Sequence, residues 1–243
     1  MIFMRLLYLL NNKLSSIYKI ITNVKFVKIT TILGIFSYTV LFFLSFIITI
    51  YFGNNPFSPM SNFISELGKL YYSPTPFIFD LACIISGIFT FPFAFYFLKH
   101  INLNFEDKNS NNKHNKLFRR LRISSFLSII IGDIGFIGIG IFSLDRNYFY
   151  MHFFSASFVL CGYISSTFFI SLLIVLKKFS LPTIMGVIGL ICVIFLLSFA
   201  IVANLIFLFS ITIFEWSLVI FVSIWLYSFT LFLVFKKPIQ WFL

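Results

Sequence analysis

Long apolar runs alternate with short polar connections along most of this 243-residue chain. An α-helix crosses about 30 Å of hydrocarbon with about 20 residues, and each run reaches that length. Backbone groups in lipid must be satisfied within the segment, so continuous runs of this kind predict helices. The pattern therefore predicts an all-α, polytopic membrane protein, a bundle of six transmembrane helices with both termini on one side. The predicted spans are about 29–52, 77–98, 123–143, 151–176, 182–209 and 215–235.

The composition excludes a soluble globular domain. The chain is 60% hydrophobic and 10% charged, with a mean hydropathy of +1.03, whereas soluble domains have roughly a quarter charged residues. A net charge of +11 would suggest nucleic acid as the partner of a soluble protein. Here membrane topology explains the charge, so we expect no nucleic-acid partner. We expect contact with membrane lipid, and a membrane protein partner or a second copy of the chain stays open.

The basic residues indicate the orientation of the bundle. Of the 18 lysines and arginines, only Lys69 and Arg146 fall on the side opposite the termini. Because cytoplasmic loops carry the excess of Lys and Arg, the pattern predicts a multi-pass protein of the cell (plasma) membrane with cytoplasmic N- and C-termini.

The chain divides into a basic N-terminal segment, 1–28, and a transmembrane domain, 29–243. Apolar residues of the segment recur at spacings of three and four, between lysines. This spacing favours an amphipathic helix lying on the cytoplasmic membrane surface. A disordered basic tail is the alternative.

The longest external connection, 54–76, contains four of the seven prolines. It includes Ser65 and Glu66, and Asp80 follows at the start of the next helix. Acidic residues elsewhere on this side, together with one histidine, predict a polar cluster beneath the connection. Asp80 and Glu215 also lie near predicted helix N-termini, where the helix dipole alone favours a carboxylate. The candidate members are Ser65, Glu66, Asp80, Asp145, His152 and Glu215.

Asp133 is a further candidate because it lies near the middle of the third span. A carboxylate there costs several kcal/mol unless it is protonated, paired or hydrated. It lies in the sequence GDIGFIGIG, whose glycines allow another helix to approach closely. Two interpretations stay open: a hydrogen bond between helices, or contact with a ligand, proton or substrate.

The sequence contains no motif for a metal or a cofactor, and we expect neither. The three cysteines fall within apolar runs, and no HExxH or GxSxG motif is present. His152 is the one histidine of the external side, too few ligands for a zinc site. Catalytic residues therefore stay unknown.

Three segments resemble the domain-of-unknown-function 998 family of six-helix membrane proteins from bacteria and archaea: SNFISELG, SPTPFIFDLACIISGIF and GIGIFSLDRNYFYMHFFSAS. The resemblance covers about 30–235 and implies the fold and topology, but no activity. The family often has Asn at the position of Asp80 and Pro at that of Ser143. The matching positions are Ser65, Leu67, Gly68, Gly87, Gly140, Phe142, Asp145 and His152.

Three classes of function remain. We favour a scaffold, lipid-interacting factor or sensor, which requires only the topology and a structured external connection. A small transporter using Asp133 is the first alternative. The second is a membrane-embedded enzyme acting on lipid headgroups, with His152 as general acid or base and Asp145 orienting it. The sequence leaves open whether the protein is an enzyme.

Overall fold

The computed structural model describes residues 13–103, 113–176, 181–206 and 211–235, and every regular element in these ranges is helical. The expectations for residues 1–12 lie outside the described residues. So do Lys177, Lys178, Lys236 and Lys237, which contributed to the predicted orientation. Short 3-10 helices occupy Ile64–Gly68, Leu144–Arg146 and Tyr148–Tyr150. The α-helices are α1 (13–21), α2 (Val24–Phe52), α3 (Phe77–Leu103), α4 (Lys113–Ile141), α5 (Met151–Val175), α6 (Thr183–Ile206) and α7 (Ile211–Phe235).

Five of these helices are long and apolar enough to cross a membrane: α2, α3, α4, α5 and α7. Within the described residues, the apolar part of α6 covers Thr183–Phe199 and is shorter than each of these five helices. The prediction of a polytopic all-helical membrane protein is therefore confirmed. The count of six spans stays a prediction.

Three helices, α2, α4 and α7, begin earlier than the apolar runs predict, and α4 begins at Lys113 where its apolar run begins at about 123. α2 begins at Val24 because the Asn23 side chain caps it and accepts a hydrogen bond from the Lys25 N–H at 2.9 Å. α7 begins at Ile211, so Glu215 lies one turn inside the helix and not at its start. An apolar run marks the part of a helix that lies in the hydrocarbon region, whereas the helix itself extends to its capping residues. The start of the helix can therefore precede the start of the apolar run.

Small residues let α4 pack closely against α5. A Cβ atom added to Gly135 would lie 2.7 Å from the Val159 nitrogen, and one on Gly162 would lie 2.7 Å from the Gly132 Cα. One on Gly138 would overlap the Ser155 side chain. The expectation that the glycines of GDIGFIGIG allow close approach of another helix is confirmed.

The buried apolar side chains form clusters at two levels of the bundle. One lies near the end at which residues 53–76 connect α2 to α3, which we call the loop end, and includes Leu67, Phe79 and Trp216. The other lies toward the opposite end and includes Phe97, Ile170 and Phe229. Between these levels the bundle contains a cavity, described below.

Candidate functional site

The connection at the loop end folds around the short helix Ile64–Gly68. The Ile64 and Leu67 side chains are buried against the helix ends. Glu66 Oε2 accepts hydrogen bonds from the Phe63 N–H and from Asn62 Nδ2, both at 3.0 Å. Glu66 therefore satisfies donors of its own segment, and Ser65 lies half-buried beside it.

The first turns of α7 attach this segment to the bundle. Glu215 Oε2 accepts a hydrogen bond from the Ile64 N–H at 3.1 Å. Trp216 Nε1 donates to the Asn62 carbonyl at 2.8 Å, and Thr212 Oγ1 donates to the Met60 carbonyl at 3.0 Å. Glu215 thus fixes the position of the connection.

The turn between α4 and α5 attaches the other half of the connection. Asp145 Oδ2 accepts a hydrogen bond from the Leu70 N–H at 2.6 Å. Arg146 Nη2 lies 2.5 Å from Asp80 Oδ2, an ion pair in which the Arg146 side chain is 50% exposed and that of Asp80 8%. A Cβ atom on Gly68 would lie 2.9 Å from Asp80 Oδ1, so glycine lets the connection rest against this carboxylate.

His152 and Asp145 have separate partners. His152 Nδ1 lies 2.7 Å from the Phe142 carbonyl oxygen, and the His152 backbone N–H donates to Asn147 Oδ1 at 3.0 Å. Within the described residues His152 and Asp145 share no hydrogen bond, although the short turn brings them near one another in sequence. The arrangement is that of a turn fixed at both ends, not of an acid–base pair.

A cavity of about 90 Å³ lies in the middle of the bundle, between α2, α3, α4, α5 and α7. Its walls are mainly apolar and aromatic, and Asp133 of α4 contributes a carboxyl group. Among the described residues that line it, none is lysine, arginine or histidine. The aromatic members of the wall are Tyr38, Phe93, Phe136, Tyr163 and Tyr227.

Asp133 is fully buried, and its two oxygens differ. Oδ1 lies 2.8 Å from the Tyr163 hydroxyl and 2.8 Å from the Thr90 hydroxyl, both of which can donate to it. Oδ2 has no hydrogen-bond partner among the described residues. The structure therefore separates Asp133 from the loop-end residues and gives it one oxygen without a protein donor.

Sequence reasoning missed the residues around Asp133. Thr90 and Tyr163 are its partners, and Tyr38 and Tyr227 line the same cavity. Interfacial tyrosines lie near span ends, whereas Tyr38, Tyr163 and Tyr227 lie well inside α2, α5 and α7. A buried tyrosine hydroxyl usually has a hydrogen-bond partner. Tyrosines far from the span ends could therefore have indicated a polar site inside the bundle.

The described residues contain no group of three His, Cys, Asp or Glu side chains that could bind a metal ion together. The carboxylates at the loop end accept hydrogen bonds from N–H groups or pair with Arg146. Among the described residues that line the cavity, Asp133 is the one acidic side chain.

Fold and site together define a multi-pass helical membrane protein with a tightly attached connection at the loop end and a polar group inside the bundle. Residues 38–106 match the model of a family described as protein of unknown function (DUF998). The predicted resemblance to the domain-of-unknown-function 998 family is confirmed over this segment, which includes Ser65, Leu67, Gly68 and Gly87. No curated protein and no solved structure shows a significant match.

Proposed function

We propose that this protein is a membrane-embedded sensor that binds a small molecule inside its helix bundle. The observation that carries this proposal is Asp133 Oδ2, a fully buried carboxyl oxygen that lines a cavity without a protein donor. An unsatisfied polar atom in apolar surroundings costs free energy. A bound molecule that donates to Oδ2 would offset this cost.

The loop-end cluster is better explained as an attachment. Asp80, Asp145 and Glu215 each accept a hydrogen bond that connects two separate parts of the chain. Asp145 and Glu215 thereby bind the 53–76 connection to the helix ends, and Asp80 binds the turn between α4 and α5. The cavity is therefore the stronger candidate for a ligand site.

A small transporter is the second candidate, and the same residue favours it. An ionisable group within a span often marks the path of an ion or proton. Asp133→Asn should then change proton or cation flux in reconstituted vesicles, and unchanged flux would exclude this function. The enzyme alternative has less support because His152 bonds to the Phe142 carbonyl and Asp145 to Leu70.

The proposal includes six spans, α2 to α7, with cytoplasmic termini in the plasma membrane of a prokaryote. Two of the 18 lysines and arginines, Lys69 and Arg146, lie at the loop end, and this low share supports the orientation. The family resemblance supports the topology. Exposed apolar side chains along the spans, such as Phe36, Phe43 and Ile194, suit contact with lipid. A membrane protein partner or a second copy of the chain would bind on the same surface.

Native mass spectrometry of the purified protein tests the proposed function. Val222 is 3% exposed and lines the cavity, so Val222→Phe would fill the cavity. Val40 is 44% exposed on α2, so Val40→Phe makes the same chemical change outside the cavity. We expect wild type and Val40→Phe to retain a small molecule and Val222→Phe to lose it. If all three proteins retain the small molecule equally, or none of them retains one, the proposal is contradicted.

A further inference from the structure

The cavity combines a carboxyl oxygen with aromatic walls. Phe136 follows Asp133 by one helical turn, and its ring lies 5.2 Å from that of Tyr38 and 6.1 Å from that of Tyr163, measured between centroids. These rings form a continuous surface at the level of Asp133. The same three rings line the cavity, together with Phe93 and Tyr227.

The charge that the described residues contribute to the cavity wall is negative. Asp133 is its only acidic residue, and no lysine, arginine or histidine is found among its described lining residues. Tyr163 and Thr90 bind Oδ1, which leaves Oδ2 as the oxygen available to a ligand. A carboxylate attracts a cation strongly in surroundings of low polarity, and aromatic faces attract ammonium groups as well.

We infer that the cavity binds a small alkylammonium cation, with its nitrogen against Asp133 Oδ2 and its alkyl chain against Tyr38 and Phe136. This inference rests on the proposed function and specifies its ligand. The ammonium group donates hydrogen bonds to Oδ2, and the alkyl part is buried from water. No other protein charge near the cavity competes for the carboxylate within the described lining.

The size of the cavity limits the ligand. A volume of about 90 Å³ is smaller than the ~150 Å³ of an apolar cavity that binds benzene. Propylammonium, with its short chain, fits this space, whereas tetrabutylammonium does not. The effects of ligand size and of ligand charge on binding can therefore be tested separately.

Thermal unfolding of the full chain in detergent provides the test, because a ligand that binds only the folded state raises the Tm. The probes are propylammonium chloride, propan-1-ol as the neutral molecule of similar size, and tetrabutylammonium chloride, all at matched ionic strength. The variants are Asp133→Asn, which removes the charge at nearly constant size, and Val40→Phe as the control.

We expect propylammonium to raise the Tm of wild type and Val40→Phe, with a concentration dependence at least about tenfold stronger than that of propan-1-ol. Asp133→Asn should lose this response, and tetrabutylammonium should produce none. If Asp133→Asn does not fold, the comparison of the three probes on the wild-type protein still tests whether the cavity prefers a small cation.

Four results would overturn the inference. An equal response to propan-1-ol would show a site for neutral molecules, and the proposed function would stand. An equal response to tetrabutylammonium, or a response that persists in Asp133→Asn, would show binding elsewhere on the protein. No response to any probe would exclude the ammonium ligand, while native mass spectrometry would decide separately whether the cavity binds another molecule.

Discussion

At the scale of single residues, the acidic side chains fall into two groups. Asp145 and Glu215 accept hydrogen bonds from backbone N–H groups of the 53–76 connection, and Asp80 pairs with Arg146 of the turn between α4 and α5. Asp133 lies in the bundle and keeps one oxygen without a protein donor. We expect the loop-end carboxylates to contribute to stability and the second oxygen of Asp133 to be available for binding. The two groups should therefore respond differently to substitution.

Arg146→Gln should destabilise the folded protein by about 1–3 kcal/mol, because the Asp80 carboxylate would lose its charged partner. The half-exposed position of Arg146 favours the lower part of this range. Lys69→Gln is the control, since the Lys69 ammonium lies near the rings of Tyr71 and Tyr72. Thermal unfolding in detergent measures the difference. Equal midpoints for the two variants would show that the Asp80–Arg146 pair contributes nothing to stability.

Tyr163→Phe should lower the free energy of unfolding by about 1–3 kcal/mol, because it removes a hydroxyl donor from a fully buried carboxyl oxygen. Tyr148→Phe is the matched control, since Tyr148 is 68% exposed and its hydroxyl is accessible to water. Unfolding by denaturant in detergent micelles compares them. A loss no larger than that of Tyr148→Phe would mean that the Tyr163–Asp133 hydrogen bond is unimportant to the fold.

At the scale of the helices, close contact between α4 and α5 determines where Asp133 and Tyr163 meet. Gly162 contacts the backbone of Gly132, and Gly135 contacts that of α5 near Val159. Without side chains at these positions the helix axes approach, and the hydroxyl of α5 reaches the carboxyl of α4. The cavity therefore depends on the small residues of this helix pair.

Gly162→Val should destabilise the protein by about 1–3 kcal/mol or more, because the new side chain would overlap the Gly132 backbone and separate the helices. Cys161→Val is the control on the neighbouring, exposed position. The yield of monodisperse protein and its thermal midpoint measure the effect. If both variants behave like wild type, the close approach of α4 and α5 is not required.

The helices and their approximate ends were predictable from sequence because hydrophobic runs depend only on local composition. The partners of the polar residues were not. Glu215 and Ile64 are 151 residues apart in the chain, and their hydrogen bond exists only once α7 packs beside the connection. Asp133 was identifiable from its depth alone, but its partners Thr90 and Tyr163 follow from the packing of three helices. Sequence reasoning predicted that these polar residues lie beneath the connection, without indicating the separate hydrogen-bond partners of Asp145, Glu215 and His152.

At the scale of the whole molecule, the described helices form a bundle that places the connection at one end and the cavity in the middle. The distribution of lysine and arginine predicts the orientation of this bundle in the membrane. It can be tested independently of any ligand.

Single cysteines introduced into a chain without its three native cysteines should reveal the orientation. Tyr71 at the loop end is 56% exposed, so Tyr71→Cys should react with a membrane-impermeant maleimide in intact cells. Lys116, near the other end of α4, is also exposed, and Lys116→Cys should react only after permeabilisation. The reverse pattern would place the termini outside.

The most direct test of the central claim is an experimental structure of the wild-type protein in lipid, with attention to the space beside Asp133. We expect ordered density that is not part of the protein within about 3 Å of Oδ2, at hydrogen-bond distance, between the rings of Tyr38 and Phe136. A protein group donating to Oδ2 in a closed bundle would contradict it. Asp133 would then serve only to connect helices, and the protein would have no ligand site at this position.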